Sequence, residues 1–268
     1  MEIKPLVSIS CITYNHAPYI RQCLDGFLMQ KTTFPFEILI HDDASTDNTA
    51  DIIREYERKY PDIIKPIYQK ENQYSKGIPI SATFNWPRAM GKYIALCEGD
   101  DYWIDPLKLQ KQIDVLEKDP ACSLCFHNAI IKNFQNNTEI EFNKKGKKNV
   151  YSIRDAIVRS WFTPTASFVF RNDARICNKQ CKNVNGDMLL LYSAALVGYL
   201  YYIDEIMSVY NYCTQYSLSR QRNYMVLYKK KFYLLRYLDK TTHYKYILYT
   251  MFQRVKILGS IALKVIKS

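Results

Sequence analysis

Tyr93-Ile94-Ala95-Leu96-Cys97-Glu98-Gly99-Asp100-Asp101-Tyr102-Trp103-Ile104-Asp105-Pro106 is the stretch on which the fold turns. It begins as a short apolar run, turns acidic at Glu98, Asp100 and Asp101, and leads into a helical pattern from Leu107 to Leu116. Three carboxylates thus gather where a buried strand ends. A buried carboxylate is costly unless something neutralises it. A hard divalent cation does so through oxygen ligands. In open α/β sheets ligands bind beyond the carboxyl ends of the strands. The cluster therefore reads as a metal-diphosphate platform. An acidic loop before a helix N-terminus, where carboxylates are favoured in any case, is the plainer reading of the same residues.

Upstream the chain alternates strand and helix. Val7–Ile12, Glu37–His41, Ile63–Tyr68, Tyr93–Cys97 and Ser123–Ile131 read as strands. Pro18–Met29, the segment from the cap-rich turn Asp42–Thr49 through Tyr60, Ser81–Met90 and Leu107–Lys118 read as helices. Met188–Ile203 reads as a buried helix running into a strand. Strands spaced by helices imply right-handed βαβ units and a mostly parallel sheet. Three strand ends on one edge then carry polar clusters: Thr13-Tyr14-Asn15, Asp42-Asp43 and Glu98 to Asp101. Tyr14 can stack on a planar base or lie in the core. Asp43 can accept from a base N–H or merely cap a helix.

The 268 residues are 48% hydrophobic and 24% charged, a globular composition rather than a disordered one. Twenty-three tyrosines suit sugar stacking, interfaces and membrane headgroups. The charged start Met1-Glu2-Ile3-Lys4-Pro5 reads as no leader peptide. The longest uncharged stretch, Met188–Ile203, is 16 residues, short of the ~20 that span a bilayer. The eight cysteines are scattered through apolar runs and read as reduced buried thiols of a cytoplasmic protein. Cys122 and Cys125 lie in a strand, where positions three apart face opposite ways, which argues against a zinc site with Cys177 and Cys181.

The whole net charge of +11 resides in residues 220–268, which hold 12 Lys/Arg against Asp239 alone. Residues 1–219 are neutral, with 25 of each sign. We divide the chain into a nucleotide-binding half at 1–131, an acceptor half of the same domain at 132–219, and a basic aromatic helical tail at 220–268. The tail mixes apolar, aromatic and basic residues at helical spacing. That pattern favours anionic membrane surfaces, at ~1 kcal/mol per basic residue near the headgroups. A helical pair packed on the body is the alternative. Nucleic-acid binding lacks any recognition motif.

Taken together, these motifs resemble a family 2 inverting glycosyltransferase with the GT-A fold, of the bacterial surface-polysaccharide type. The matching pieces are Val7–Asn15, His41–Thr49, Gly91–Trp103, Asp105–Gln112, Phe126-His127-Asn128, Trp161-x-x-Pro164-Thr165-x-Ser167 and Gly186-Asp187-x-Leu189. The resemblance implies an α/β Rossmann-like sheet flanked by helices. It implies a nucleoside pocket of Thr13, Tyr14, Asn15, Asp43 and Ser45, with Glu98 and Asp101 on the ribose side. Asp100 becomes the direct ligand of Mn2+ or Mg2+. Trp103, Trp161 and Thr165 fall on the acceptor or donor-sugar side. Asp187 matches the general base, although an Asp there also suits a helix N-cap.

Two positions depart from that pattern. Glu98 stands where the family more often has Asp. Asn211 and Cys213 replace an arginine and a histidine near the metal-diphosphate, and a thiolate suits a hard cation poorly. Lys76 or Arg88 then becomes a candidate partner for diphosphate charge. The implied chemistry is metal-dependent transfer from a nucleotide-sugar, by family habit a UDP-sugar, to a glycan or lipid-linked hydroxyl. A carboxylate takes the acceptor proton in a single inverting displacement. No residue identifies itself as the additional nucleophile of a retaining route. An impaired nucleotide-sugar binder or assembly partner is the alternative. A nucleotidyltransferase is disfavoured because residues 6–30 hold one glycine, Gly26, and no Gly-rich basic loop.

Overall fold

The computed structural model describes residues 4–144, 148–160, 162–177, 184–214 and 223–267. The first strands and helices fall where hydrophobic periodicity places them. They are β1 (Val7–Thr13), α1 (Ile20–Leu28), β2 (Phe36–Asp42), α2 (Thr49–Lys59), β3 (Ile64–Tyr68) and β4 (Tyr93–Leu96). Between β3 and β4 the expected helix over 81–90 is a single π-helical turn, Ser81–Asn85, continued by a 3-10 turn, Trp86–Arg88. Then come β5 (Tyr102–Trp103), α3 (Lys108–Lys118), β6 (Cys122–Asn133), β7 (Thr138–Glu141), β8 (Val150–Tyr151), α4 (Ile153–Arg159), β9 (Val169–Arg171) and α5 (Ala174–Cys177). The chain closes with α6 (Gly186–Val197), β10 (Tyr199–Tyr212), α7 (Tyr224–Thr241) and α8 (Ile247–Lys267).

All the long strands share one sheet in the order β3-β2-β1-β4-β9-β6-β10-β5. β1, β2, β3 and β4 pair in parallel, and so do β6 and β10. β9 is inserted antiparallel to both β4 and β6, so the strands on either side of it still run the same way. The sheet is therefore parallel in its major strands, with antiparallel joints at β5, β7, β8 and β9.

Strand alternation feeds two cores. On β4 Tyr93 and Ala95, and Cys97 just after it, face the core built with α1 and α3, while Ile94 and Leu96 face that built with α4, α6, α7 and α8. On β10, Leu200 and Tyr202 join the second core, and Tyr199, Tyr201 and Ile203 flank the first. Helices therefore cover both faces, and the carboxyl ends of β1, β2 and β4 emerge side by side.

Within the tail, α7 and α8 form a helical hairpin packed on the body. Leu234, Leu235, Leu238 and Ile257 join the core of Met188, Leu191 and Tyr192. Buried Asp239 accepts from Thr250 Oγ1 at 2.7 Å and pairs with Arg254. Among the described residues no helix is long and apolar enough to cross a membrane.

Candidate active site

The three strand ends converge as the alternation implied. Ligand oxygens of Glu98, Asp100 and Asp101 all lie within 4.8 Å of one another. Asp100 and Asp101 are buried; Glu98 is the more exposed of the three. Burial pushes the Glu98 carboxyl up to about 8, helped by the charges of Asp100 and Asp187. Burial first, then Asp100 and Glu98, raises Asp101 well above the usual carboxylate range. Three oxygen donors that cannot all ionise cheaply fit a hard divalent cation.

Gly99 sits between these carboxylates because nothing larger fits. A Cβ there would meet Thr13 Oγ1 at 2.7 Å and His16 Nδ1 at 3.1 Å. Thr13 Oγ1 and His16 Nδ1 are buried without a hydrogen-bond partner among the described residues. His16 Nε2 stands 3.8 Å from Asp100 Oδ2. His16 follows Thr13-Tyr14-Asn15 directly, and that adjacency was the available signal for it.

The far end of β10 braces the carboxylates from behind. The Asn211 backbone N–H donates to Asp101 Oδ1 at 2.8 Å, and Asn211 Nδ2 donates to the Asp100 carbonyl at 2.5 Å. Thr214 Oγ1 donates to Asp100 Oδ2 at 3.2 Å. Asn211 thus has a positioning role that an arginine's larger side chain would fill differently. Cys213 is buried, has φ +61°, and turns Sγ toward Gln135. No sequence spacing announces these braces, which cross more than a hundred residues.

The nucleoside-pocket candidates form a second cluster. Asn15, in the left-handed region at φ +55°, accepts the Thr46 N–H on Oδ1 at 2.7 Å and donates its own N–H to Ser45 Oγ at 2.9 Å. Ser45 Oγ donates to Asp42 Oδ1 at 2.5 Å. Tyr14 is 38% exposed, which leaves ring surface open for stacking. Asp43 is buried, and its two carboxylate oxygens accept the backbone N–H groups of Gln73 and Tyr74 at 2.8 and 3.0 Å. His41 Nε2 lies 3.3 Å from Asp43 Oδ1. Asp43 therefore ties the loop after β3 to the end of β2. That loop brings in Tyr74, which sequence reading missed. Burial first, then the charges of Glu98 and Asp187, raises its hydroxyl above the ordinary tyrosine value.

Several expectations need correction. Trp103 does not face a sugar: it is 1% exposed, packs edge-on against Phe27 with ring centroids 4.7 Å apart, and donates Nε1–H to the Ala166 carbonyl at 2.9 Å. Alternation on β5 turns Tyr102 outward and Trp103 inward. Arg88 is no free diphosphate cation; it donates to the carbonyls of Lys65 and Ile40 and clamps β3 to β2. Lys76 pairs with Glu71. Thr165 is partly exposed and opens a 3-10 turn, Thr165–Ser167. Trp161 and Cys181 lie outside the described residues. Cys122, Cys125 and Cys177 are free and buried, and among the described residues the carboxylates form the one metal-competent cluster.

Asp187 lies in the first turn of α6, where Oδ1 accepts the Met188 N–H at 2.8 Å. Met188 packs under the α7–α8 hairpin. The candidate base is thus held by a helix that the tail supports.

Beneath this surface Lys108 is fully buried. Its Nζ donates to Gln112 Oε1 at 2.7 Å and lies 3.9 Å over the Trp103 ring. The ring favours the ammonium, but burial dominates and lowers its pKa to about 7.

Comparison with known proteins agrees with this geometry. A model of the glycosyl transferase family 2 matches residues 8–174. A Mycobacterium tuberculosis protein, Rv1520, itself uncharacterized, is 38% identical over 206 residues. The match covers 76% of this chain and 58% of that protein, so the chain spans little more than half the length of that relative. A putative teichuronic acid biosynthesis glycosyltransferase of Bacillus subtilis, TuaG, is 35% identical over 123 residues, 46% of each chain. Among solved structures, S. aureus TarS 1–349 in complex with UDP-GlcNAc superposes with a TM-score of 0.64 at 17% identity, covering 95% of this chain and 80% of that one. A Pyrobaculum calidifontis mannosyltransferase in complex with GDP-Man and Mn2+ gives 0.62 at 17% identity, covering 99% and 76%. These structures share the GT-A fold with the chain, and the family match across most of its sheet makes it a member of glycosyl transferase family 2.

Proposed function

We propose that the protein is an inverting, metal-dependent glycosyltransferase that moves a sugar from a nucleotide-sugar, a UDP-sugar, to a hydroxyl of a glycan or lipid-linked acceptor in surface-polysaccharide synthesis. The observation that carries this is the cluster of three carboxylates, Glu98, Asp100 and Asp101, beyond the carboxyl ends of parallel strands. The names of its relatives support the substrate class: TuaG is assigned to teichuronic acid biosynthesis, and the similar solved structures hold UDP-GlcNAc or GDP-Man.

In this reading Tyr14 stacks on the base, and Asp43 and the Asn15–Ser45 pair shape the pocket around the nucleoside. Asp100, with Glu98 and Asp101, holds Mn2+ or Mg2+. When bound, such a cation neutralises charge on the departing diphosphate. Asn211 and Thr214 keep Asp100 and Asp101 aimed. Tyr74 closes the loop side of the pocket, held by its backbone N–H bond to Asp43. Asp187 accepts the proton of the attacking acceptor hydroxyl, so that one in-line displacement inverts the anomeric carbon.

A thermal-shift screen of nucleotide-sugars with Mn2+ tests the reading, because a ligand that binds only the folded state raises the unfolding midpoint. A UDP-sugar should raise it, and release of UDP should follow when an acceptor is present. Binding without turnover on any acceptor would favour an impaired binder. No shift with any nucleotide-sugar would remove the proposal.

A further inference from the structure

We propose that the outer face of α8 is a docking surface for an anionic lipid bilayer, with the helix lying in the plane of the headgroups. The helix has two apolar faces. Its inner face is spoken for: Ile257 packs with Leu234 and Leu235, Gln253 donates to the Val158 carbonyl, and Thr250 bonds Asp239. The opposite face carries Leu248, Met251, Phe252, Val255, Leu258 and Leu263. Every one is more than half exposed, Leu248 at 77% and Val255 at 67%. At 3.6 residues per turn they occupy an arc of roughly 140°. An outward apolar stripe on a helix already fixed to the body marks an interaction surface.

Charge selects the occupant. Lys245 and Lys256 are exposed on and beside α8, and α7 turns Lys229, Arg236 and Lys240 outward. The tail carries the whole +11 of the chain. A second copy would bring the same charge against itself. An anionic bilayer offers the opposite charge and an apolar layer at the depth the stripe can reach. The helix lies on the bilayer rather than crossing it, since no described helix is apolar enough to span. Because the hairpin also supports Met188, docking holds the α6 end of the site beside the lipid surface. That last consequence rests on the proposed transfer to a lipid-linked acceptor; the docking itself does not.

The test is co-sedimentation of the full chain with phosphatidylglycerol-containing and pure phosphatidylcholine vesicles, across a salt series. Binding to anionic vesicles at low salt should exceed that to neutral ones by at least about tenfold. Salt should weaken it, because the Debye length falls from about 10 Å at 0.1 M to about 3 Å at 1 M. An apolar remainder should survive. The triple variant Leu248→Ser, Val255→Ser, Leu258→Ser should lose that remainder while keeping its thermal midpoint. Lys245→Glu with Lys256→Glu should lose low-salt binding and keep the remainder. No preference of the wild type for anionic vesicles would overturn the proposal. So would equal binding by the triple variant, or a dimer that the triple variant dissociates while vesicle binding stays the same. Since vesicle binding is read without turnover, its failure is distinct from failure of the transferase reading.

Discussion

The carboxylate edge and the Asp187 end of the site are built differently. At the edge most of the carboxylates and amides are tied down by hydrogen bonds, with Thr13 Oγ1 and His16 Nδ1 left unpartnered among the described residues. Asp100 and Asp101 are braced by Asn211 and Thr214, Asn15 by Ser45 and Thr46, and Asp43 by two backbone N–H groups. Such closure through short bonds preorganises a site. Asp187 instead rides on the first turn of α6, and α6 is held by apolar packing against a hairpin some forty residues on. The contrast teaches that the carboxylate edge is held mainly by hydrogen bonds, whereas the Asp187 end is placed by apolar packing of its helix.

The largest effect should separate the two ends. Asp187→Asn should lower turnover by about 10²–10⁴-fold, the usual contribution of a general base, while donor affinity measured by calorimetry stays near wild type. Turnover within about tenfold of wild type would mean that another group takes the proton.

Gly99→Ala attacks the edge itself. The new methyl meets Thr13 Oγ1 at 2.7 Å, Thr13 Cβ at 2.8 Å and His16 Nδ1 at 3.1 Å. We expect a loss of about 1–3 kcal/mol in a denaturation experiment, with donor affinity falling in step. Unchanged stability would show that the edge is looser than its hydrogen bonds imply.

Lys108→Met sharpens the comparison from below. The folded-state pKa of Lys108 is about 7, under the ordinary ~10.4 of a lysine. Between these values the unfolded chain binds a proton that the folded one does not, so this group makes stability rise with pH through that window. Below about 7 both states are protonated and the group adds no slope. Unfolding free energies of wild type from urea titrations should therefore climb more steeply from pH 7 to 9 than those of Lys108→Met, by at most about 1.4 kcal/mol per pH unit. Parallel curves would show that the ammonium stays charged over Trp103.

Cys213→His should have the smallest effect. The position has φ +61°, which histidine tolerates better than most residues. Thermal midpoints should stay close to wild type and Mn2+ affinity should rise. A collapse in stability would identify Cys213 as a packing residue with no room for a ring.

The difference between the two ends also explains what the sequence disclosed. β1, β2 and β4 were legible because each is a short apolar run ending in a polar motif, and parallel pairing puts those motifs on one edge. The helix-to-strand passage at Met188–Ile203 was legible from its unbroken apolar run. β9 was not, since three residues inserted antiparallel carry no period of their own. Trp103 was misplaced because motif membership says nothing about which face of a two-residue strand it occupies. Asn211 and Thr214 were invisible as braces because their partners lie 111 and 114 residues away. The tail's two apolar faces blurred into one amphipathic pattern, and only the packing of Ile257 tells inner from outer.

The central claim is that the carboxylate edge binds a nucleotide-sugar through a divalent cation held by Asp100. Donor affinity measured by calorimetry in Mn2+ and in EDTA, for wild type and Asp100→Asn, tests it most directly. Wild type should bind a UDP-sugar markedly more tightly in Mn2+ than in EDTA, and Asp100→Asn should bind it weakly and equally in both. Equal affinity with and without metal, in wild type and variant alike, would contradict the account.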